Sequence, residues 1–444
     1  MTFRWLTASR VALLTEFLFM AFILYGVMHS LNFLRTTGFL PPPFFYGIND
    51  TFMDWFNTTW YAVNPGGYDV WRTAYPPLCF VFLSIFSLHS CYTESTPIAR
   101  GCDWVGLVTL FTFFVINGVL IYKSYRFVDA RTAIPRSIAM ALGLPMLFTL
   151  DRGNLIMPTL TVFILGHSRL LKSARLKWIA LALAINFKPY LFVTLIPQAC
   201  RRRWRWFEGA AIALGLVYIT TVWIVGDGTP TEIVANTLNY ATPQNATFLD
   251  SAIYAASYTS ILDVFKLNFS LMNLVGSRAM DLSIVGLPLL IRAGQIGVIL
   301  SFLAAAIRPT AVSTHRLTAL SVALVMTSTE LGGYAEVFLL YLVFMERWKG
   351  VARIVPLVSA YILSLPFDIP VVMFAPVVQD SYLTGRAVNM NITVNVGEIV
   401  RPALVLLIEY GLVCATLIDV ARPWIARLNE QRRQSLGVAE LAAV

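Results

Sequence analysis

The chain alternates apolar runs with short polar turns from end to end. Apolar segments fall at about 11–33, 77–93, 104–122, 137–150, 155–168, 178–187, 190–199, 209–226, 284–306, 317–331, 335–345, 354–366 and 402–420. Several are well below the ~20 residues that a simple helical span needs. Pairs of short runs hinged on a polar motif predict helices whose ends meet inside a cavity, because irregular backbone at membrane depth persists only where protein or water satisfies it. No internal repeat, low-complexity linker or soluble domain interrupts the pattern. Residues 1–444 therefore read as a single integral membrane domain. The expected fold is an all-α polytopic bundle of about 12 transmembrane helices.

The Lys and Arg residues orient this bundle. Arg4 and Arg10, the stretches 123–136, 169–177, 201–205, 308–316 and 346–353, and the tail 421–444 are basic, and basic loops stay in the cytoplasm. The loops between them then face outward: a long first extracytoplasmic loop over 34–76, then 151–154, the vicinity of Lys188, 227–283, 330–334, 367–370 and 376–400. From residue 150 onward the alternation is self-consistent. Between 77 and 150 it is not, which predicts that one segment there re-enters or lies flat. The run 11–33, broken by residues such as Glu16 and His29, is too long for the apolar region of a signal peptide and lacks a cleavage motif, so it reads as an uncleaved first span.

Composition agrees. The chain is 57% hydrophobic and 13% charged, against roughly 25% charged in soluble domains. The net charge of +9 sits in topological clusters, which argues against nucleic acid as a partner and for membrane lipid. Cys79, Cys91, Cys102, Cys200 and Cys414 are odd in number and without zinc-like spacing, and read as small apolar filler. His29, His89, His167 and His315 are scattered and form no metal motif.

Four polar motifs remain. The first loop contains "YGINDTFMDWFNTTWYAVNPGGYDVWRTAYPP", with Asp50 and Asp54 four residues apart among nine aromatic residues. If "DTFMDWFN" is helical, the two acids share a face one turn apart. One can then act as a base, or the pair can bind a divalent cation, which the spacing permits without demanding; a solvated loop face is the plainer alternative. Asp69 has Arg72 nearby, and a local ion pair is its expected fate. Rings such as Trp55 fit either an interfacial belt or sugar stacking. Tyr75-Pro-Pro marks a helix start with Pro in the first turn. The second motif, "LFTLDRGNLIMPTL", places Asp151, Arg152 and Asn154 at an abrupt turn that Gly153 permits; an Asp–Arg cap and a ligand contact are both open. The third, "ALAINFKPYLF", leaves Lys188 between short apolar runs before a helix-breaking Pro189. Lys188 can snorkel, pair with Asp151 or hold a phosphate. The fourth, "STELGGYAEVF", offers Glu330, Tyr334 and an inward Glu336, for which Arg292 is the plain partner. Asp368 in "PFDIP" is a weaker case of the same kind. Charges this close to apolar runs need partners or water, which suggests a shared outward-facing cavity.

Taken together, the aspartate in a long first external loop, "YPP" opening the next helix, the "RGN" turn and the Lys-Pro break followed by "RRRWRW" resemble glycosyltransferase family 87. These are polytopic transferases of the GT-C class that use polyprenyl-phosphate sugars, typically polyprenyl-phosphomannose. The likeness runs over about 46–206, and the rest of the chain is similar only through "ELGGY". The family's Gly-Gln-x-Asn turn reads Arg152-Gly153-Asn154 here, without the glutamine. The resemblance implies an enzyme of a bacterial inner membrane that moves mannose or another hexose from a polyprenyl-phosphate donor to a lipid or glycan acceptor on the outer face, by inverting single displacement. In that scheme Asp54, or Asp50, is the base. Lys188 and Arg152 hold the donor phosphate. Asn154, Asp151, Glu330, Tyr334, Trp55 and Tyr75 line the sugar and acceptor; no general acid is required, and a divalent cation is left open. A polymerase or ligase of lipid-linked oligosaccharides, or a lipid or sugar transporter, is the alternative.

Overall fold

The computed structural model describes residues 8–44, 47–241, 276–329 and 331–441. The chain runs through α1 (Ala8–Thr37), α2 (Met53–Val63), α3 (Pro77–Ile85), α4 (Thr96–Cys102), α5 (Trp104–Arg126), α6 (Ala133–Ala141), α7 (Leu144–Arg152), α8 (Ile156–His167), α9 (Ala174–Phe187), α10 (Ile196–Cys200), α11 (Trp204–Val225) and α12 (Pro230–Ala241). It continues through α13 (Ser277–Ile307), α14 (Thr314–Ser328), α15 (Glu336–Val343) and α16 (Val351–Leu363), then a hairpin of β1 (Pro370–Ser381) and β2 (Arg386–Asn395), and ends in α17 (Val396–Leu441).

Among the described residues, six helical stretches are long and apolar enough to cross a membrane by length and composition: Arg10–Thr37, Trp104–Arg126, Ala133–Arg152, Trp204–Val225, Val285–Ile307 and Val396–Trp424. This is compatible with a multi-pass membrane protein. The other apolar runs form helices of one to four turns, such as Ile156–His167 and Val351–Leu363. The two classes differ in what they face. The stretch Trp204–Val225 is only 11% buried, whereas Ala133–Arg152 is 67% buried. The first turns Ile212, Leu216, Ile219 and Trp223 outward, a stripe at helical spacing that demands an apolar surround. The α6–α7 unit lies in the core, broken at Gly143, where Leu144 N–H is satisfied by Ser364 O at 3.0 Å.

Three expectations change and one gains detail. The fold is not all-α: much of the expected loop 376–400 is an antiparallel hairpin, with Asp380 opposite Ala387 and Ser381 opposite Arg386. In the second strand Met390, Thr393 and Asn395 are buried; Met390 and Thr393 are three residues apart and so lie on opposite faces, which simple alternation does not give. The loop expected over 227–283 contains α12 and the start of α13; residues 242–275 lie outside the described residues. The segment 77–93 is not one continuous helix: α3 has nine residues, a 3-10 turn His89–Cys91 follows, and Cys91 and Cys102 form a disulfide rather than serving as apolar filler. The tail from 421 continues α17 as helix to Leu441.

Buried polar pairs fix the packing. Asn117 donates to Met157 O and accepts from Thr161, both at 2.8 Å, which ties α5 to α8. Glu16 is fully buried and takes Arg136 Nη2 at 2.6 Å, Tyr361 Oη at 2.9 Å and the Trp348 indole. A lone carboxylate in an apolar span is expensive, and this one is offset by three donors.

Candidate functional site

The site begins with a backbone clasp. α7 ends at Arg152, and Gly153 caps it in the left-handed region at φ 66°. A Cβ on Gly153 would sit 2.7–2.8 Å from backbone atoms of Phe52, so glycine is required for both conformation and space. Phe52 is itself left-handed, at φ 65°. A bulky residue there stores roughly 1–3 kcal/mol of strain. Its N–H donates to Asp151 O at 2.6 Å, and Thr51 Oγ1 donates to the Asp151 carboxylate at 3.3 Å. The turn before α2 is thereby pressed onto the end of α7.

That contact brings four expected residues together. Asp50 precedes the helix and Asp54 lies in its first turn, so they do not share a helical face as the spacing suggested. They meet through Arg152 instead. Its Nη1 donates to Asp50 Oδ2 at 2.8 Å and its Nη2 to Asp54 Oδ1 at 3.0 Å. Asn154 Nδ2 donates to Asp54 Oδ2 at 2.7 Å, while its own Oδ1 accepts from Ile156 N–H at the start of α8. The two acids differ in access: the Asp50 side chain is 45% exposed and that of Asp54 19%. Asp54 also sits where the helix dipole favours an anion.

Lys188 approaches from α9. The chain leaves the helix there because Pro189 lacks the N–H to continue it, and a 3-10 turn, Pro189–Leu195, follows. The ammonium lies 5.3 Å from the centre of the Tyr75 ring and close enough to Asp54 to sense its charge. Among the described residues it makes no hydrogen bond or ion pair, with Asp151 or any other group. Tyr75 lies just before Pro76-Pro77, which open α3 as expected.

Tyr334 reaches the same neighbourhood by stacking on Phe148, one turn before Arg152, with ring centres 6.1 Å apart. Glu330 lies outside the described residues. Trp55 is a correction: it is fully buried, edge-on to Phe82, and its indole nitrogen faces Gly106. It points away from the Asp54 side of α2 and into the core, so no sugar face can reach it. Glu336 is buried with Oε1 unpartnered and faces Arg401 rather than the exposed Arg292. Arg401 in turn bonds Asp368 at the base of the hairpin. Asp69 and Arg72 form no ion pair with each other among the described residues and are both exposed.

A divalent cation does not fit the residues present. The faces of Asp50 and Asp54 that would bind it are bridged by the Arg152 guanidinium, and the second Asp54 oxygen is taken by Asn154. Among the described residues, no group of three or more Asp, Glu, His or Cys stands at ligating spacing.

One member escaped the sequence reading. Arg100 is buried, donates to Asn49 O at 2.7 Å and Thr51 O at 2.6 Å, and lies 3.8 Å from the centre of the Tyr382 ring. It ties the Asp50 turn to the hairpin. Its only linear signal is a cation two residues before a cysteine that turns out to be disulfide-bonded.

Comparison of the chain with protein-family models, curated proteins and solved structures gives no match. The arrangement itself consists of two carboxylates on one arginine, an asparagine completing the more buried acid, and a lysine without a counter-ion among the described residues. It can take a proton at Asp54 or Asp50 and can hold an anion at Lys188.

Proposed function

We propose that this chain is a membrane glycosyltransferase that moves a hexose, mannose being the leading candidate, from a polyprenyl-phosphate carrier to a hydroxyl of a lipid or glycan acceptor. The observation that carries the reading is the juxtaposition of Asp54, fixed by Arg152 and Asn154, with the unpaired cation Lys188. Acceptor activation needs a base, and departure of a phosphate needs a cation but no proton. Both requirements are met within one site, from residues more than a hundred positions apart.

In the proposed step the acceptor hydroxyl attacks the anomeric carbon from the face opposite the carrier. The bond from that carbon to the phosphate oxygen breaks, and the polyprenyl phosphate leaves with the electron pair. The hydroxyl proton passes to an Asp54 oxygen. Inversion follows from the single displacement. Arg152 is shared between the acids, so Asp50 holds its guanidinium in place as Asp54 takes up the proton. Lys188, a compact point charge, takes the phosphate. Tyr334 and Asn154 border the sugar.

The accompanying topology has twelve crossings, in which α1, α5, α6–α7, α8, α9, the 189–200 segment, α11 and α13 to α17 each pass once. In this topology short α3 and the disulfide-linked turn stay on the outer side, so the stretch between 77 and 150 crosses an even number of times. Two observations support it. A Cys91–Cys102 disulfide suits an oxidising compartment. The Arg-rich turns gather at the other end of the bundle, as cytoplasmic loops do. The site then faces outward, in keeping with a bacterial inner membrane.

The test uses full-length protein in detergent with radiolabelled polyprenyl-phosphomannose and extracted membrane glycolipid. Transfer of label with release of polyprenyl phosphate is the expected result. Lys188→Ala should raise the donor KM about tenfold or more, in line with the worth of one charged hydrogen bond. Label that is carried across reconstituted membranes but never transferred would instead mark a transporter, and products carrying many sugars a polymerase.

A further inference from the structure

At the end of the bundle opposite Asp54 lies a polar cavity of about 700 Å³. Seven parts of the chain meet there: 124–128, 166–169, Lys177 on α9, 198–206, 311–316, 345–353 and Asp419 on α17. Seven Arg and Lys side chains line it against two carboxylates, Glu346 and Asp419. Those two acids are already committed. Arg316 holds Glu346 with a two-pronged contact at 2.7 Å and Asp419 at 2.6 Å, and Arg353 adds a 2.5 Å contact to Asp419.

The remaining cations, Arg169, Lys177, Arg201, Arg203 and Arg347, have no carboxylate partner among the described residues. Lys177 and Arg201 are half-buried, Arg169, Arg203 and Arg347 are exposed, and all five line the same concave space. Lys177 is near enough to Arg169 and Arg203 to be repelled by both, and Arg201 is repelled by Arg203. Mutual repulsion around a concave space is relieved by an anion in it. A buried ring nitrogen also lacks a partner among the described residues: His167 Nε2. His167 can donate to a bound oxyanion, and the guanidinium forks match phosphate oxygens.

The geometry points to a binding site for a phosphate-bearing anion in this cavity, independent of the Asp54 site. A phosphate fits better than a carboxylate because it offers oxygens in several directions, as donors from separate turns require. The volume also accommodates a substituted phosphate, being within the roughly 300–1,000 Å³ of small-molecule pockets. The anion can be a soluble phosphate or the headgroup of an anionic lipid, whose interface Trp206 would border.

The experiment uses the full chain. One arm titrates inorganic phosphate into protein in neutral detergent and follows the melting temperature against chloride at matched ionic strength. The other compares retention of phosphatidylglycerol and phosphatidylcholine by native mass spectrometry after release from mixed nanodiscs. Phosphate stabilisation without lipid preference identifies a soluble ligand; selective retention of phosphatidylglycerol identifies a headgroup. Lys177→Gln with Arg203→Gln should weaken either response at least tenfold. The control Lys172→Gln with Arg175→Gln, on exposed residues that do not line the cavity, should leave it unchanged. If the double variant loses its fold, Arg203→Gln alone, at an exposed position, should still weaken binding severalfold. No response to either probe, an undiminished response in the cavity variants, or an equal loss in the control overturns the proposal.

Discussion

Two charge networks of the bundle use the same kinds of side chain in opposite ways. Near α1, Glu16 and Arg136 are almost wholly buried, and every oxygen of the acid is matched by a donor. The Glu346–Arg316–Asp419–Arg353 network beside it is likewise closed on itself. At the hairpin end, two aspartates share one arginine, Asp50 stands half in solvent, and Lys188 faces Asp54 across space without touching a counter-ion. A saturated ion network can only hold structure, since any new ligand must break it. An unsaturated one has charge left over for a ligand. The difference therefore separates charges that staple helices from charges that can do chemistry.

The largest effect that sharpens this contrast is at Asp54. Asp54→Asn keeps a group that can bond Arg152 or Asn154 but removes the base, so transfer should fall by about 10²–10⁴-fold. The melting temperature should move by no more than a degree or two in the same preparation. Full activity in this variant would end the role of Asp54. Arg136→Leu should do the reverse. It strands Glu16 in the core and should cost about 3–5 kcal/mol of stability, read from thermal unfolding. The specific activity of protein that remains folded should be unchanged. If Arg136→Leu instead abolished turnover in well-folded protein, the division between staple and site would be wrong.

A smaller effect tests the clasp between the two acids and α7. Gly153→Ala forces a side chain against Phe52 at a left-handed position. It should cost roughly 1–3 kcal/mol, and it should lower turnover as well, because Arg152 and Asn154 move with that turn. Loss of stability with wild-type turnover would show that the acids do not depend on the clasp. The smallest effect is a pH slope. Burial alone would raise the Glu346 carboxyl, but hydrogen bonds from His315 and Arg316 outweigh burial and hold it well below the usual carboxylate range. A lowered folded-state value stabilises above the unfolded value of about 4.3. That stabilisation should be intact at neutral pH and decline as pH falls below it, by at most about 1.4 kcal/mol per pH unit for one proton. Glu346→Gln should remove this part of the slope, measured as melting temperature between about pH 6 and pH 3.5. An unchanged slope would show that Glu346 is not so held.

The sequence by itself determined the solvent of this protein and most of its breaks. Apolar runs at helical length dictate a membrane-compatible bundle, because nothing else absorbs so much apolar surface. Pro189, Pro76-Pro77 and Gly153 end or open helices where their backbone chemistry requires. The polar turns around Asp54, Arg152, Asn154 and Lys188 were legible as candidates because charges beside apolar runs need a reason. Tertiary structure alone decided which candidates meet. Arg152 bridges acids about a hundred residues away, and Trp55, one residue from Asp54, turns into the core. The Cys91–Cys102 pairing, Arg100 under the hairpin and the strands themselves were equally hidden. The reason is physical. Hydropathy and turn chemistry are local and act along the chain, whereas a side chain's partner depends on the rotation and depth of helices that packing alone sets.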